Sequence, residues 1–477
     1  MPATLDTELQ EQRRWRIRPV CRPDLFEALL RNEFLSPEQH HASACSSVRY
    51  MAGFVEKNVP YYGEMFRRLG ITARDFQRPE DLCRLPSLSR AEAKQHAALL
   101  HAVSLPPQQQ IWRTTETSGS TGEPVEVPHT FQSRAMFSLL KQRELRWFRF
   151  DPSAKYAEIR PTRDMPPQPD GQNIPVGTCY TLPSWPAIGQ CVETGPFFGL
   201  SHMATLERQI EWLDENRPSY LLAQSANLEH LALTLQGRRL DYLRALQAIS
   251  QELSPAMRRC VESVFGVPVH ENYGLNEFGV VASRCPEGGR FHVHLEHCIV
   301  EIVDESGQPC PAGQVGQVLV TGLSNMAMPL LRYETGDLAE ALEGPCPCGR
   351  TLPSFGNIRG RYRRIAFLPP GTWTYWTTFQ REMFRLPQEL LESLRQYQMH
   401  QYRDGSFELK LVVKGQVQPA LIERFREIWR KAGGASPAPL TIRQVESIPR
   451  PPGGKFQNFT SDFMPPRDSD SPGPSTA

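Results

Sequence analysis

No apolar run in the chain approaches the ~18 residues that a bilayer span requires, so no membrane-spanning helix is expected. An excess of charge of either sign is missing too. The 53 Lys and Arg residues stand against 52 Asp and Glu, a net charge of +1. That balance argues against a general nucleic-acid binder or a protein drawn to anionic membranes. The opening stretch, MPATLDTELQEQRRWRIRP, has no apolar core and no cleavage signal, so a secretory peptide is not expected there. Regularly spaced, pairable cysteines are lacking. The 11 Cys are scattered and odd in number, which suggests mostly free thiols in a reducing, cytoplasmic compartment. No internal repeat is visible. Proline is plentiful, at 43, and hydrophobic residues make up 40%, which fits a loop-rich globular protein. A chain of 477 residues is too long for one core, so two or three domains are expected.

Apolar spacing of three and four residues predicts helices through most of 23–103, with stops at Gly70 and a cap at Ser89. IWRTT and VEVPHT read as strands around residue 120, and SRAMFSLLKQRELRWFRF as the helix after them. KYAEIRP, SYLLAQS and VPVHENYG read as strands. TLERQIEWLDENRP, NLEHLALTLQ and SPAMRRCVESVFG, the helices between them, predict an α/β domain with largely parallel sheets. From residue 291 the chain is more β-like. Beyond residue 365, ELLESLRQYQ, FELKLVVKG, PALIERFREIWRKAGG and LTIRQVES read as helix–strand–helix–strand, a compact α+β module. The tail MPPRDSDSPGPSTA has the composition of a disordered segment.

TSGSTGEP (117–124) combines glycines that permit close backbone approach with the hydroxyls of Ser118, Ser120 and Thr121. Together with Gly119 and Gly122 these residues can form a concave anion site. No GK[ST] opens a helix here, so it is not a Walker loop. Taken alone, it reads as a solvated hairpin. Four further segments follow in order: ENYGLNEFG (271–279), LLRYETGDLAE (330–340), CPCGRTLPSFGNIRGRYRR (346–364) and IPRPPGGKFQNF (448–459). Taken singly, Tyr273 is a core aromatic, Asp337 a turn former after Gly336, and Lys455 a solvated loop lysine.

The order and spacing of these motifs resemble the adenylate-forming superfamily, over roughly residues 25–460. VPYYGEMFRRLG, LPSLSRAEA, CPCGR and RQYQMHQ resemble, within it, the phenylacetate–CoA ligase-like family. The resemblance implies an α/β fold: a large N-terminal adenylate-forming domain with parallel sheets plus a β-rich subdomain (1–365), and a small mobile C-terminal α+β domain (366–465) before the tail (466–477). It implies a two-step reaction. A carboxylate attacks the α-phosphorus of ATP to give an acyl-adenylate and pyrophosphate, and a thiol then displaces AMP. The Ser118–Gly122 loop would cradle the β- and γ-phosphates. Glu277 would be an oxygen ligand for Mg²⁺. Asn276, where the family usually has Thr, would donate to the α-phosphate. Tyr273 would lie on the adenine face, with the Asn272–Gly274 backbone along its edge. Asp337 and Arg361 would bind the ribose. Lys455 would neutralise charge developing between carboxylate and phosphorus.

Two positions depart from the family pattern. Glu123 stands where a Lys usually follows the loop, and Tyr362–Arg363–Arg364 replaces the usual hinge Asp, which makes Arg363 the candidate pivot. Acyl-adenylate formation is therefore the firmer expectation and CoA transfer the second.

Cys285, His292, Cys346 and Cys348 offer three thiolates and an imidazole, a set that suits structural Zn²⁺, with His294 the rival imidazole. Buried cysteines with a surface histidine are the bland alternative. Relatives in the resembled family carry a similar arrangement that can hold zinc. The acid pocket is implied to lie among 177–189, 223–228 and 278–281, where Tyr180, Trp185 and Phe278 read equally as clasps for an aryl acid or as core aromatics. The expected partners are a small carboxylic acid and CoA, with no nucleic acid or membrane; a homodimer is left open. A carrier-protein thiol or an amine is the alternative acceptor, and a catalytically degenerate binding relative is the alternative to turnover.

Overall fold

The computed structural model describes residues 23–116, 126–161, 178–250, 253, 255–304, 306–361, 379, 382, 383, 386, 390, 393–433, 437–448 and 459–462. The chain divides into two compact units, Met1–Thr335 with Ala339–Asn357, and Gly336–Leu338 with Ile358–Ala477.

The first unit opens with helices α1 (Pro23–Asn32), α2 (Pro37–Asn58) and α3 (Pro60–Leu69). Ser36 caps α2 through a reciprocal pair of bonds with Gln39. Pro60 cannot continue α2, so it starts α3 instead, and Gly70 ends that helix in the left-handed region at φ 66°. The short helices α4 (Arg90–Gln95, capped by Ser89) and α5 (Ala97–Leu100) lead to an antiparallel hairpin, β1 (Ile111–Glu116) and β2 (Glu126–Thr130). Thr130 then caps helix α6 (Phe131–Trp147).

The main sheet has 12 strands. Its strands are β3 (Tyr156–Arg160), β4 (Cys179–Leu182), β5 (Phe197–Ser201), β6 (Tyr220–Gln224), β7 (Ala245–Ile249), β8 (Val269–Leu275), β9 (Gly279–Arg284), β10 (Phe291–Val293), β11 (Cys298–Val303), β12 (Val315–Gly322), β13 (Tyr333–Ala341) and β14 (Ser354–Arg361). The order is β11-β12-β13-β14-β10-β9-β8-β7-β6-β3-β5-β4. Strands β5, β3, β6, β7 and β8 are parallel, joined through helices α7 (Leu206–Asn216), α8 (Ser225–Thr234) and α9 (Pro255–Phe265). At β9 the pairing becomes antiparallel.

Alternation along the parallel strands sorts the two faces. Ala157, Leu221 and Ala223 join a cluster with Trp212, Leu228 and Val261 of the three helices, while Tyr156, Tyr220 and Leu222 join one with Trp147, Phe150 and Trp185. No helix among the described residues is long and apolar enough to cross a membrane.

The second unit carries a four-stranded sheet in the order β17-β16-β15-β18: β15 (Leu394–Gln401), β16 (Phe407–Val413), β17 (Leu440–Gln444) and β18 (Phe459–Ser461). Helix α10 (Pro419–Gly433) buries Leu421, Phe425, Ile428 and Trp429, one stripe at helical spacing. The sequence reading of ELLESLRQYQ as a helix is corrected here, because Leu394–Gln398 belong to β15. Tyr397, Met399 and Gln401 alternate inward, and a turn with Gly405 at φ 83° folds β15 onto β16, so hairpin pairing outweighs the helical propensity of the segment.

Candidate active site and cysteine–histidine cluster

Strand β8 is the last parallel strand of the main sheet, and ligands of open α/β sheets bind beyond the carboxyl ends of such strands. At that end the β8–β9 register shifts between Tyr273 and Gly274. The two backbones come so close that a Cβ at Gly274 would lie 2.9 Å from the Gly279 carbonyl oxygen. The turn that follows leaves Asn276 exposed and buries Glu277 to 5% exposure. Glu277 Oε1 accepts from the Tyr333 hydroxyl at 2.8 Å, and among the described residues no hydrogen bond is made to Oε2. Tyr273 is buried, edge-on to Phe355 at 5.9 Å, and Phe355 stacks on Phe291. Asn272 turns its side-chain amide onto Glu144 of α6, which leaves its backbone as the part that can line a ligand.

The stem of the Ser/Thr/Gly loop is tied to the same turn. His129 on β2 lies with Nε2 3.2 Å from the Asn276 carbonyl oxygen and 2.9 Å from Thr115 Oγ1. A hydrogen on Nε2 serves both acceptors, while Thr115 donates onward to the Val127 carbonyl. Burial holds His129 below the ordinary imidazole value and so favours this neutral form. His129 has a sequence signal of its own: a histidine just beyond the Ser/Thr/Gly loop, on the strand that returns to the fold.

Ser118, Gly119, Ser120, Thr121, Gly122 and Glu123 lie outside the described residues, as do Arg363, Lys455 and the side chain of Arg361 at the end of β14. Asp337 is buried on β13, directly after Gly336 at φ 75°. Trp185, which the sequence leaves open between a clasp for the acid and a core aromatic, is a core residue. It is 1% exposed, packs on Tyr156 at 5.0 Å, and donates its indole N–H to the Ala154 carbonyl.

Cys285, His292, Cys346 and Cys348 come together, with their ligand atoms all within 4.8 Å of one another and all four residues buried. Two tight turns build the cluster. Cys285 follows β9 and accepts from the Gly288 N–H at 3.1 Å; Cys348 lies in the turn after β13 and accepts from the Arg350 N–H at 3.3 Å. Only glycine fits at position 288, since a Cβ there would sit 2.2 Å from Cys346 Sγ. His292 has Nδ1 3.2 Å from the Leu352 carbonyl, so Nδ1 carries the hydrogen and Nε2, 3.3 Å from Cys348 Sγ, faces the sulfurs.

The Cys346 and Cys285 sulfurs are 3.8 Å apart. Tetrahedral coordination at ordinary zinc–ligand lengths requires sulfur–sulfur edges of about 3.8 Å and sulfur–nitrogen edges of about 3.5 Å. Burial alone would lower His292, but its hydrogen bonds to Cys346 and Cys348 carry it up to about 9. Cys348 is drawn well below a free thiol by its hydrogen bond with Cys285 and by His292, whereas Cys285 is pushed up. His294 stands apart from the sulfurs, with Nε2 3.0 Å from Ser283 Oγ and Nδ1 2.5 Å from Arg143.

Comparison with known proteins places these features in a wider group. The AMP-binding enzyme family matches residues 87–328. The phenylacetate–coenzyme A ligase of Thermus thermophilus is 28% identical over 393 residues, covering 80% of this chain and 83% of the relative. That of Pseudomonas putida is 24% identical over 368 residues, covering 74% of this chain and 76% of the relative. A crystal structure of 2-hydroxyisobutyryl-CoA ligase in the postadenylation state superposes with a TM-score of 0.64 at 16% identity, covering 91% of each chain, a likeness of fold. The chain is a member of the AMP-binding enzyme family.

Proposed function

We propose that the protein activates a carboxylic acid, aryl or related, as its acyl-adenylate and passes the acyl group to the thiol of CoA. The observation that carries this reading is the end of β8: a backbone edge at Asn272–Gly274 followed at once by a buried carboxylate, Glu277, with one oxygen held by Tyr333. The long coverage by phenylacetate–coenzyme A ligases supports the acid and the thiol acceptor.

In this reading the Asn272–Gly274 backbone lines the adenine and Asp337 accepts from the ribose hydroxyls, with Arg361 on the same sugar. The amide of Asn276 reaches toward the α-phosphate. The Ser118–Gly122 loop takes the β- and γ-phosphates, and His129 fixes the stem of that loop against the Asn276–Glu277 turn. Glu277, a buried hard carboxylate with Oε2 to offer, is the residue that would hold Mg²⁺, which supplies charge neutralisation on the phosphates. Lys455 stabilises the negative charge that grows as the substrate carboxylate attacks phosphorus. Arg363 serves as the pivot on which a C-terminal domain from about residue 366 changes pose for the thiol step.

Cys285, His292, Cys346 and Cys348 would hold one Zn²⁺. The donor set is soft, the Cys346–Cys285 and Cys348–His292 separations are close to tetrahedral edges, and four protein ligands leave no open position, so its contribution would be to stability. Acid-dependent exchange of pyrophosphate into ATP tests the adenylation step, and product analysis with CoA or a phosphopantetheinylated carrier tests the acceptor. The cytoplasm is the proposed location.

A further inference from the structure

Helix α6 buries every residue from Ser138 to Trp147, the charged Lys141, Arg143, Glu144 and Arg146 included. A carboxylate with 0% exposure is costly unless its oxygens are fully engaged, and those of Glu144 are. It is ion-paired with Lys141 one turn away. It also accepts side-chain bonds from each of three neighbouring strands. Gln247 Nε2 on β7 reaches Oε1 at 2.6 Å, Asn272 Nδ2 on β8 reaches Oε2 at 2.9 Å, and Ser283 Oγ on β9 reaches Oε2 at 2.8 Å. Asn272 and Ser283 are direct register partners, followed by the Tyr273–Ala282 pair, after which the register shifts toward Gly274.

The donors are themselves oriented. Ser283 gives its hydroxyl hydrogen to Glu144, so its oxygen accepts from His294 Nε2 at 3.0 Å. His294 Nδ1 in turn accepts from Arg143, which is clamped on Glu296. Every hydrogen in this chain has one consistent direction, and it ends on Glu144. The side chain therefore fixes β7, β8 and β9 to one another where parallel pairing gives way to antiparallel.

We propose that Glu144 is a positioning residue for the nucleotide. By holding the Asn272–Ser283 pair, it sets the path of the Tyr273–Gly274 edge and of the Asn276–Glu277 turn. Glu144 does not touch the ligand and acts through Asn272. The inference rests on the reading of that edge as the nucleotide site.

The test is titration of the full-length protein with AMP, beside thermal unfolding and pyrophosphate-exchange kinetics. Glu144→Gln turns one acceptor into a donor facing other donors, and should raise the Kd for AMP and the KM for ATP roughly tenfold or more. Ser283→Ala removes one donor to Glu144, together with the acceptor of His294 Nε2, and should weaken AMP by a smaller factor, about threefold. Combining the two should cost no more than Glu144→Gln alone, because both act through one contact. Combining Glu144→Gln with Asp337→Ala should multiply the losses, and kcat at saturating ATP should move far less than KM. If Glu144→Gln does not fold, Ser283→Ala carries the test by itself. Variants that melt lower yet bind AMP with the parent Kd overturn the positioning role and leave the nucleotide reading standing. A parent protein that does not bind AMP overturns the nucleotide reading, and this inference with it.

Discussion

The Tyr333 hydroxyl donates to Glu277 Oε1 at 2.8 Å, joining the first residue of β13 to the turn between β8 and β9. The bond holds the carboxylate at a fixed angle with Oε2 available. Tyr333→Phe keeps the carboxylate but releases it, so half-maximal pyrophosphate exchange should need several-fold more Mg²⁺, about three- to tenfold. Glu277→Gln removes the hard charged ligand and should cost ~10² or more in rate. Magnesium titrations of both variants check this, and identical curves for variants and parent would contradict it.

Asp337 tests the sugar. Because ATP and AMP share the ribose, Asp337→Ala should weaken both by a similar factor, about ten- to a hundredfold for lost charge-assisted bonds in a buried setting. Calorimetric titration with each nucleotide gives the two factors, and parent-like affinity for AMP would show that the ribose binds elsewhere.

The cysteine–histidine cluster makes a prediction independent of turnover. Purified protein should contain about one zinc per chain. Cys348→Ser should lose the metal and lower the melting temperature. Elemental analysis beside a melting curve decides it, and a metal-free parent of undiminished stability rules out a structural zinc.

Stability should fall as the solution becomes acidic. Burial lowers both His270, stacked on Phe148 at 4.2 Å, and His297, held between the Phe278 carbonyl and Ser324 Oγ, to about 4. The sign follows from proton binding. Between the ordinary imidazole value near 6.5 and about 4 the unfolded chain takes up protons that the folded chain refuses. Stability is therefore full above that window and is lost as pH drops through it, by on the order of 2–3 kcal/mol for the fully buried His297. Urea melts from pH 7 to pH 4.5 should show the fall, and His297→Asn should flatten it. An unchanged slope in that variant assigns the loss to other groups.

Much of the fold is visible in the sequence because its signals are local. The Pro60 break, the Gly70 stop and the Ser89 cap are decided by residues at or next to the element ends, and the parallel strands announce themselves as apolar runs between helices. What the sequence misreads or leaves open is decided by tertiary context. LRQYQ has helix-forming residues but is claimed by pairing with β16. Trp185 reads equally as a ligand clasp or a core aromatic, and packing makes it part of an aromatic core. LLKQRELRW reads as part of a helix, and nothing local shows that three strands present donors to Glu144. The four metal-type residues are legible because soft donors are few. That His292 rather than His294 joins the sulfurs is decided by the Leu352 carbonyl behind the ring, far away in sequence.

Pyrophosphate exchange into ATP, run with a panel of carboxylic acids, tests the proposed chemistry most directly, because exchange reports reversible formation of an acyl-adenylate and nothing later. At least one acid, with aryl acids the first to try, should drive exchange in the parent protein. Glu277→Gln and Lys455→Ala should each lower that rate by ~10²–10³. Lys455→Ala should still form thioester from a pre-made acyl-adenylate and CoA, and an Arg363 variant should show the opposite bias. No exchange with any acid, or exchange at the parent rate in both Glu277→Gln and Lys455→Ala, would contradict acyl-adenylate formation at this site.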